Sequence, residues 1–202
     1  MGLEKEIKFF CPNIQKMDEI IGNSGGKKIN SWYFEKNMVF DRDNDQLLSQ
    51  GRLLRLRITD LGCKLTFKSP AENTAEPALK VMREWEVKLD EPENMVAIFS
   101  ELGYSVRLRY EKFRKKWIYQ KCVVCLDILP FGRFMEIEGD YNDICDCAAN
   151  LGLDPGQGLN GTYFDLYKIK AECPDVFDPK GLEFSALNKQ FLVRELNLDH
   201  KS

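Results

Sequence analysis

Glu4, Glu6 and Lys8 place three charges at every second position of the segment GLEKEIKFF. In an extended chain alternate side chains share a face. These three therefore lie on one side, with Leu3, Ile7 and Phe9 on the other and Lys5 as the exception. The same device recurs along the chain. Arg55 and Arg57 alternate with Leu54, Leu56 and Ile58; Lys64 and Lys68 alternate with Leu65 and Phe67. Glu84, Glu86 and Lys88 alternate with Trp85, Val87 and Leu89. Lys112 and Arg114 share a face, Asp127 sits in VVCLDIL, and Glu136 and Glu138 alternate with Met135 and Ile137. For any one strand a solvated outer face is the simpler reading. That reading does not account for the set, because an ordinary outer face mixes Ser, Thr, Gln, Asn and Lys. Here Glu or Arg recurs at i and i+2, segregated by strand, and like charges so placed repel unless a partner compensates them.

A sheet closed on itself resolves the pattern. Its charged faces would point into a polar lumen, acidic walls opposite basic ones, while helices and loops cover the apolar outer faces. Closure also removes the sheet edges. Glu4, Glu6, Glu84, Glu86, Asp127, Glu136 and Glu138 offer hard oxygen ligands suited to Mg²⁺ or Mn²⁺. The Arg55–Arg57 pair suits the paired oxygens of phosphate. Together they fit a metal-bound polyphosphate, and phosphoryl transfer needs little beyond metal, cations on the oxygens and an in-line nucleophile.

Composition narrows the alternatives. The single histidine, His200, leaves no Ser-His-Asp triad, Cys-His pair or His-rich metal site. A net charge of −3 gives no global reason to expect a nucleic-acid partner. No apolar run is long enough to span a bilayer and no signal-peptide h-region is seen. The seven cysteines include Cys122-Val-Val-Cys125 and Cys145-Asp-Cys147. Cys122 and Cys125 fall in a strand-like run and point to opposite faces, so free thiols in a reducing cytoplasm are expected over zinc.

The elements that would position these residues follow from periodicity. An α+β chain is expected, a mostly antiparallel sheet or barrel with about eight strands and four helices to the side. Strands are read at 3–10, in SWYFEKNMVF, RLLRLRIT, CKLTFKS, LKVMREWEVKL, SVRLRYEKFRKKWIY, CVVCLDIL and RFMEIEG. Asn13 is placed to cap a helix that keeps Ile14, Met17 and Ile21 on one stripe, ended by Gly25-Gly26. A second helix, in EPENMVAIFSELG, is expected to bury Val96, Phe99 and either Leu102 or Ile98. Further helices are read in DYNDICDCAANLG and TYFDLYKIKAE. PAENTAEPA reads as a flexible break. Residues 1–172 are expected to form one domain, and 173–202 an extension in which Phe191, Leu192 and Val193 are the residues able to dock.

Taken in order, Glu4-Lys-Glu6-Ile-Lys8 (an ExExK signature), LRLR at 54–57, LTFK at 65–68, REWEV at 83–87, Lys112-x-Arg114, CLDILPFGRFMEIEG and TYFDL resemble the CYTH family. These triphosphate tunnel metalloenzymes include class IV adenylate cyclases, thiamine triphosphatases and inorganic triphosphatases. The resemblance covers roughly residues 3 to 168. It implies an eight-stranded antiparallel barrel with a charged tunnel. It implies that Glu4, Glu6, Glu136 and Glu138, with Asp127, hold one or two divalent ions. Lys8, Arg55, Arg57, Lys68 and Arg114 would grip the triphosphate, and Lys112 would activate water. Tyr163 and Lys168 lie where the family's final helix closes one tunnel mouth, and Glu84 and Glu86 would line the tunnel. The loop after the second strand lacks the Asp-Thr-Pro common in the family.

The implied partner is a triphosphate-containing small molecule, with no nucleic acid and no membrane; a homodimer is left open. Two reactions fit: hydrolysis of inorganic, thiamine or nucleoside triphosphate, or cyclisation of ATP to cyclic AMP and pyrophosphate. A non-catalytic polyphosphate or nucleotide binder is the third reading. Phe67, Trp85 and Tyr110 could stack on a base, but barrel packing accounts for them equally.

Overall fold

A computed structural model describes residues 2–71, 79–159, 161–170 and 182–198. Most of the expected break at 70–78, and His200 and Cys173, lie outside the described residues. Eight strands close into an antiparallel barrel in the order β1-β5-β4-β3-β2-β6-β7-β8. They are β1 Gly2–Phe10, β2 Lys27–Asp41, β3 Leu53–Thr59, β4 Gly62–Pro70, β5 Lys80–Leu89, β6 Ser105–Tyr119, β7 Cys122–Leu129 and β8 Gly132–Glu138. Among the described residues five α-helices accompany them: α1 Ile14–Asn23, α2 Pro92–Glu101, α3 Tyr141–Asn150, α4 Tyr163–Lys170 and α5 Ala186–Glu195.

Register decides which residues enter the lumen. The pairs Glu6–Glu138 and Lys8–Glu136 join β1 to β8. Arg114–Asp127 joins β6 to β7, and Glu35–Lys112 joins β2 to β6. Because side chains alternate, each of these pairs brings a charged position against a charged position, and the apolar positions between them turn outward.

The apolar core therefore lies outside the barrel wall. Ile7, Phe9, Phe113, Val124, Leu126, Met135 and Ile137 bury against Ile14 and Ile21 of α1, Ile144, Cys147 and Ala148 of α3, and Leu192 of α5. Full burial of such a side chain stabilises by about 1.5–3 kcal/mol. Asn13 caps α1 by accepting from Lys16 N at 3.2 Å, and Ser185 does the same for α5 through Asn188 N. α5 belongs to the tail whose mixed hydropathy hides a helical stripe. Of its expected docking residues Leu192 is buried and Val193 partly so, whereas Phe191 is 65% exposed.

A second cluster packs Phe99 of α2 against Phe40, Leu56 and Cys63, with Met95 and Val96 partly buried. Ile98 and Leu102, expected as alternatives for this stripe, are both exposed. Gly103 takes a left-handed φ of +80°, and Tyr104 N folds back to Phe99 O at 2.8 Å. That turn delivers Tyr104, not Leu102, to the apolar cluster.

Helices do not cover the outer faces completely. Leu3, Trp85 and Val87 are exposed, at 62%, 40% and 54%. Phe67 and Trp85 contact each other on this outer wall, ring centroids 5.9 Å apart, so neither serves as a stacking platform in the lumen. The loop after β2 is organised by Asp41. Its buried carboxylate accepts from the backbone N–H groups of Arg42, Leu47 and Leu48 at 2.7–3.0 Å. Among the described residues no helix is long and apolar enough to cross a membrane.

Candidate active site in the barrel lumen

The lumen holds a cavity of about 260 Å³. Glu4, Glu6, Lys8, Arg55, Arg57, Lys68, Lys112, Arg114, Glu136 and Tyr163, all singled out in the sequence, line it. Burying so many charges is tolerable only with partners, and most have them.

The best-paired group sits deepest in the wall. Arg114 forks onto Asp127, Nε to Oδ1 at 2.6 Å and Nη2 to Oδ2 at 2.5 Å, and reaches Glu136 at 3.2 Å. Lys112 Nζ lies 3.2 Å from Asp127 and 3.6 Å from Glu35. The Tyr163 hydroxyl, brought in by α4, donates to Asp127 Oδ2 at 2.5 Å. Its ring stands 5.5 Å from Lys8 Nζ and 5.2 Å from Lys112 Nζ. Burial and the neighbouring Asp127 carboxylate raise the phenol's pKa well above its usual range, so it stays a donor. α4 thereby packs over one end of the barrel, with Leu166 against Leu129 and Phe134.

The acidic wall is made by β1 and β8. Glu4, Glu6 and Glu138 each offer a carboxylate oxygen within 4.8 Å of the others, a hard donor set that fits a divalent ion such as Mg²⁺ or Mn²⁺. Burial raises the pKa of Glu138 to about 7, and the nearby Glu136 carboxylate adds to this. Burial pushes Glu6 the same way, but Lys8, Lys80 and Lys68 outweigh it and the net shift is downward. Lys8 bridges Glu6 at 2.5 Å and Glu136 at 3.2 Å. Burial would lower its pKa, yet the two carboxylates raise it well above the ordinary lysine value.

Of the five residues expected to bind metal, three converge. Asp127 is taken up by Arg114, Lys112 and Tyr163. Glu136 is engaged by Lys8 and Arg114, and groups separately with Cys125 and Glu138. Among the tunnel-lining candidates, Glu84 lies 3.7 Å from Lys68, which also pairs with Glu4. Glu86 is held by Lys64 at 2.5 Å. Burial raises the pKa of Glu84; for Glu86 burial is outweighed by Lys64, and the shift is downward. Lys168 is not brought into the cavity: its ammonium stacks 4.2 Å from the Phe164 ring, on the same helix.

Four further residues belong to the lumen. Glu35 is fully buried between Lys112 and Arg57. Burial would raise its pKa, but these cations drive it far below the carboxylate range. Lys80 donates to Glu6 at 3.1 Å. Among the described residues Asn37 is buried without a side-chain hydrogen bond, and Tyr110 contacts Arg55. The alternation Tyr33, Glu35, Asn37 was available in the sequence. It reads as an inner face only once register sets Glu35 opposite Lys112, and Asn37 opposite Tyr110 and Arg57.

The remaining wall differs from the rest. Arg55 has no carboxylate within ion-pair distance among the described residues, and Arg57 reaches only Glu35, at 3.8 Å. Arg55 Nε and Nη2 and Arg57 Nε are buried without a hydrogen-bond acceptor among those residues. Beside them the lining includes the aliphatic side chains Val39, Leu48, Leu53 and Leu108, together with the Arg107–Asp45 ion pair.

A family model described as the CYTH domain matches residues 2–145. The chain belongs to the CYTH family. A Methanocaldococcus jannaschii protein that carries adenylate cyclase as a provisional name is 27% identical over 143 residues, 70% of this chain and 79% of that protein. A Vibrio parahaemolyticus structure, also provisionally an adenylate cyclase, superposes with a TM-score of 0.72 at 18% identity, covering 83% of this chain and 98% of that one. A Hippeastrum protein, provisionally an adenylyl cyclase and described as having a dominant triphosphatase activity, gives a TM-score of 0.62 at 14% identity, covering 89% and 99%. At such identities the two structures speak for the CYTH fold alone.

Proposed function

We propose that this CYTH chain hydrolyses a triphosphate held in the barrel lumen with a divalent metal ion. The observation that carries the reading is the pair Arg55 and Arg57: buried guanidinium N–H groups without acceptors among the described residues, facing the same cavity as Glu4 and Glu6 of the Glu4–Glu6–Glu138 trio. A buried donor left unpaired costs about 1–3 kcal/mol, and more when charged, which phosphate oxygens would recover. Glu4, Glu6 and Glu138 would hold the Mg²⁺ or Mn²⁺, which offsets phosphate charge when bound. Arg55, Arg57, Lys8 and Lys68 would bind the phosphate oxygens. Arg114 and Asp127 would act as an anchored pair that keeps Lys112 in place. Lys112, fixed between Asp127 and Glu35, is the group proposed to position water against the terminal phosphorus. The water oxygen bonds to phosphorus, the bond to the bridging oxygen breaks, and the water's protons end on solvent or on phosphate oxygens.

A second reading is favoured by the aliphatic side chains Val39, Leu48, Leu53 and Leu108 in the cavity lining, which offer a place for an organic group. In it the ribose 3′-hydroxyl of ATP attacks the α-phosphorus and pyrophosphate leaves. The same metal and cations would serve both reactions. Incubation with Mg²⁺ or Mn²⁺ and ATP, thiamine triphosphate or inorganic triphosphate, followed by separation of products, decides between them. Phosphate as the product supports hydrolysis. Cyclic AMP with pyrophosphate rejects it in favour of cyclisation. Binding without product from any substrate leaves a polyphosphate or nucleotide binder.

A further inference from the structure

Tyr110 lies on the inner face of β6, two residues before Lys112 and four before Arg114, and it lines the cavity. Its hydroxyl oxygen accepts a hydrogen bond from Arg55 Nη1 at 3.0 Å. Among the described residues its own hydrogen is given to no acceptor. The charged groups that act on it most strongly are Arg55, Lys112 and Arg57, none of which can accept a hydrogen bond. Burial alone would raise the phenol's pKa; these three cations reverse the shift and lower it. Tyr163 gives the contrast, because its hydrogen is already committed to Asp127.

The place of Tyr110 along the lumen adds a second constraint. It pairs with Asn37 of β2, and the next inward positions on these two strands are Leu108 and Val39. Tyr110 therefore marks the seam where the Lys112–Arg114 stretch of β6 gives way to the aliphatic Leu108 and Val39, with the paired Arg107 and Asp45 lining the cavity beside them. An O–H whose oxygen is fixed by a guanidinium, and whose strongest charged neighbours are cations, has a direction but, among the described residues, no acceptor until an anion arrives. At the seam that anion is the phosphoryl group closest to the organic part of a substrate.

We propose that Tyr110 is a substrate-contacting residue that donates a hydrogen bond to the phosphoryl group lying at the junction of the cationic and apolar parts of the lumen, with Arg55 orienting its oxygen. The inference rests on the reading that the lumen takes a triphosphate. It adds a neutral donor to the cation clamp and assigns it to one end of the phosphate chain, the α-phosphoryl of an organic triphosphate.

Tyr110→Phe removes only the hydroxyl. A hydrogen bond to a charged oxygen that is made equally in ground and transition states appears in KM. For hydrolysis at the far, terminal phosphorus, the variant should raise KM for ATP or thiamine triphosphate about 10- to 100-fold, with kcat within about threefold of wild type. If the product panel shows cyclisation, Tyr110 touches the reacting phosphorus itself, and the same loss should fall on kcat. Calorimetric titration of wild type and variant with ATP and Ca²⁺ provides a readout independent of turnover and should show the same weakening. A melting temperature close to wild type shows that the loss is not one of folding, and Tyr110→Trp, which restores a neutral N–H donor at a shifted position, should not recover affinity fully. An active wild type whose Tyr110→Phe variant keeps both kcat/KM and ATP affinity within twofold overturns the assignment of Tyr110 alone. A wild type that neither binds nor turns over any triphosphate overturns the triphosphate reading, and this assignment with it.

Discussion

Acidification should remove a divalent ion from this lumen through one residue, Glu138. Its pKa is raised to about 7 by burial and by the Glu136 carboxylate, against an ordinary value of 4.5. A carboxylate must lose its proton to ligate a metal, so proton and ion compete for the same oxygens. At pH 5 a group of pKa about 7 is only about 1% ionised, so apparent affinity should fall roughly tenfold per pH unit below 7, about 100-fold in all by pH 5. An ordinary carboxylate would lose less than about twofold over the same span. Glu6, whose pKa is lowered, should add little.

The assay is calorimetric titration with Mn²⁺ from pH 5 to 8.5, in two buffers of different ionisation enthalpy, which counts the protons released. Near pH 6 most of a proton should leave per ion bound, and above pH 8 almost none. Glu138→Gln should bind more weakly at pH 8 and lose most of the pH dependence. The fold of the metal-free chain should respond with its own sign. Between about 4.5 and 7 the folded state keeps a proton on Glu138 that the unfolded state has lost. The contribution of this group to stability therefore falls as pH rises through that window, by at most about 3 kcal/mol. Mn²⁺ affinity that is flat from pH 5.5 to 8, with no proton release, would refute the argument that burial sets the acidity of Glu138.

Three further outcomes are expected. Arg57→Ala should lower turnover on the order of 100-fold by removing a charge-stabilising donor; near-normal rates would count against the clamp. Asp127→Asn leaves Arg114 and Lys112 short of a buried counter-charge and should destabilise the chain by about 3 kcal/mol in urea unfolding. Ile144→Ala, at a fully buried site between α3 and the barrel, should cost about 2–4 kcal/mol of stability while leaving kcat/KM of the surviving fold unchanged.

What could be read from the chain was what alternation carries. Charges at i and i+2 on β1, β3, β5 and β8 announce a second wet face, since nothing else makes Glu and Arg segregate by strand. Residues whose role depends on partners across the barrel stayed hidden. Glu35 shows no sign in the sequence of sitting between Lys112 and Arg57. Asp127 has the chemistry of a metal ligand, but Arg114 stands beside it in register and claims it. Lys168 lies on the helix that packs over one end of the barrel, and a local contact the tunnel reading does not anticipate puts its ammonium over the ring of Phe164, four residues earlier and itself in the cavity lining. Trp85 was ambiguous because a large aromatic suits either face of a strand; parity with Glu84 and Glu86 puts it outside.

The inner set of side chains is defined by odd and even numbering along eight strands, each locked to neighbours on both flanks. Inserting one amino acid between Leu53 and Leu54 would send Leu54 and Leu56 inward and Arg55 and Arg57 out into the oily layer beneath α2 for the rest of β3. Inserting two would preserve the orientation and merely displace the guanidinium pair by one pleat. Relatives of this chain should therefore tolerate length changes freely in the turns, in even steps within the staves, and in single steps only where a bulge absorbs the odd residue, as at the irregular joins of β2 with β6.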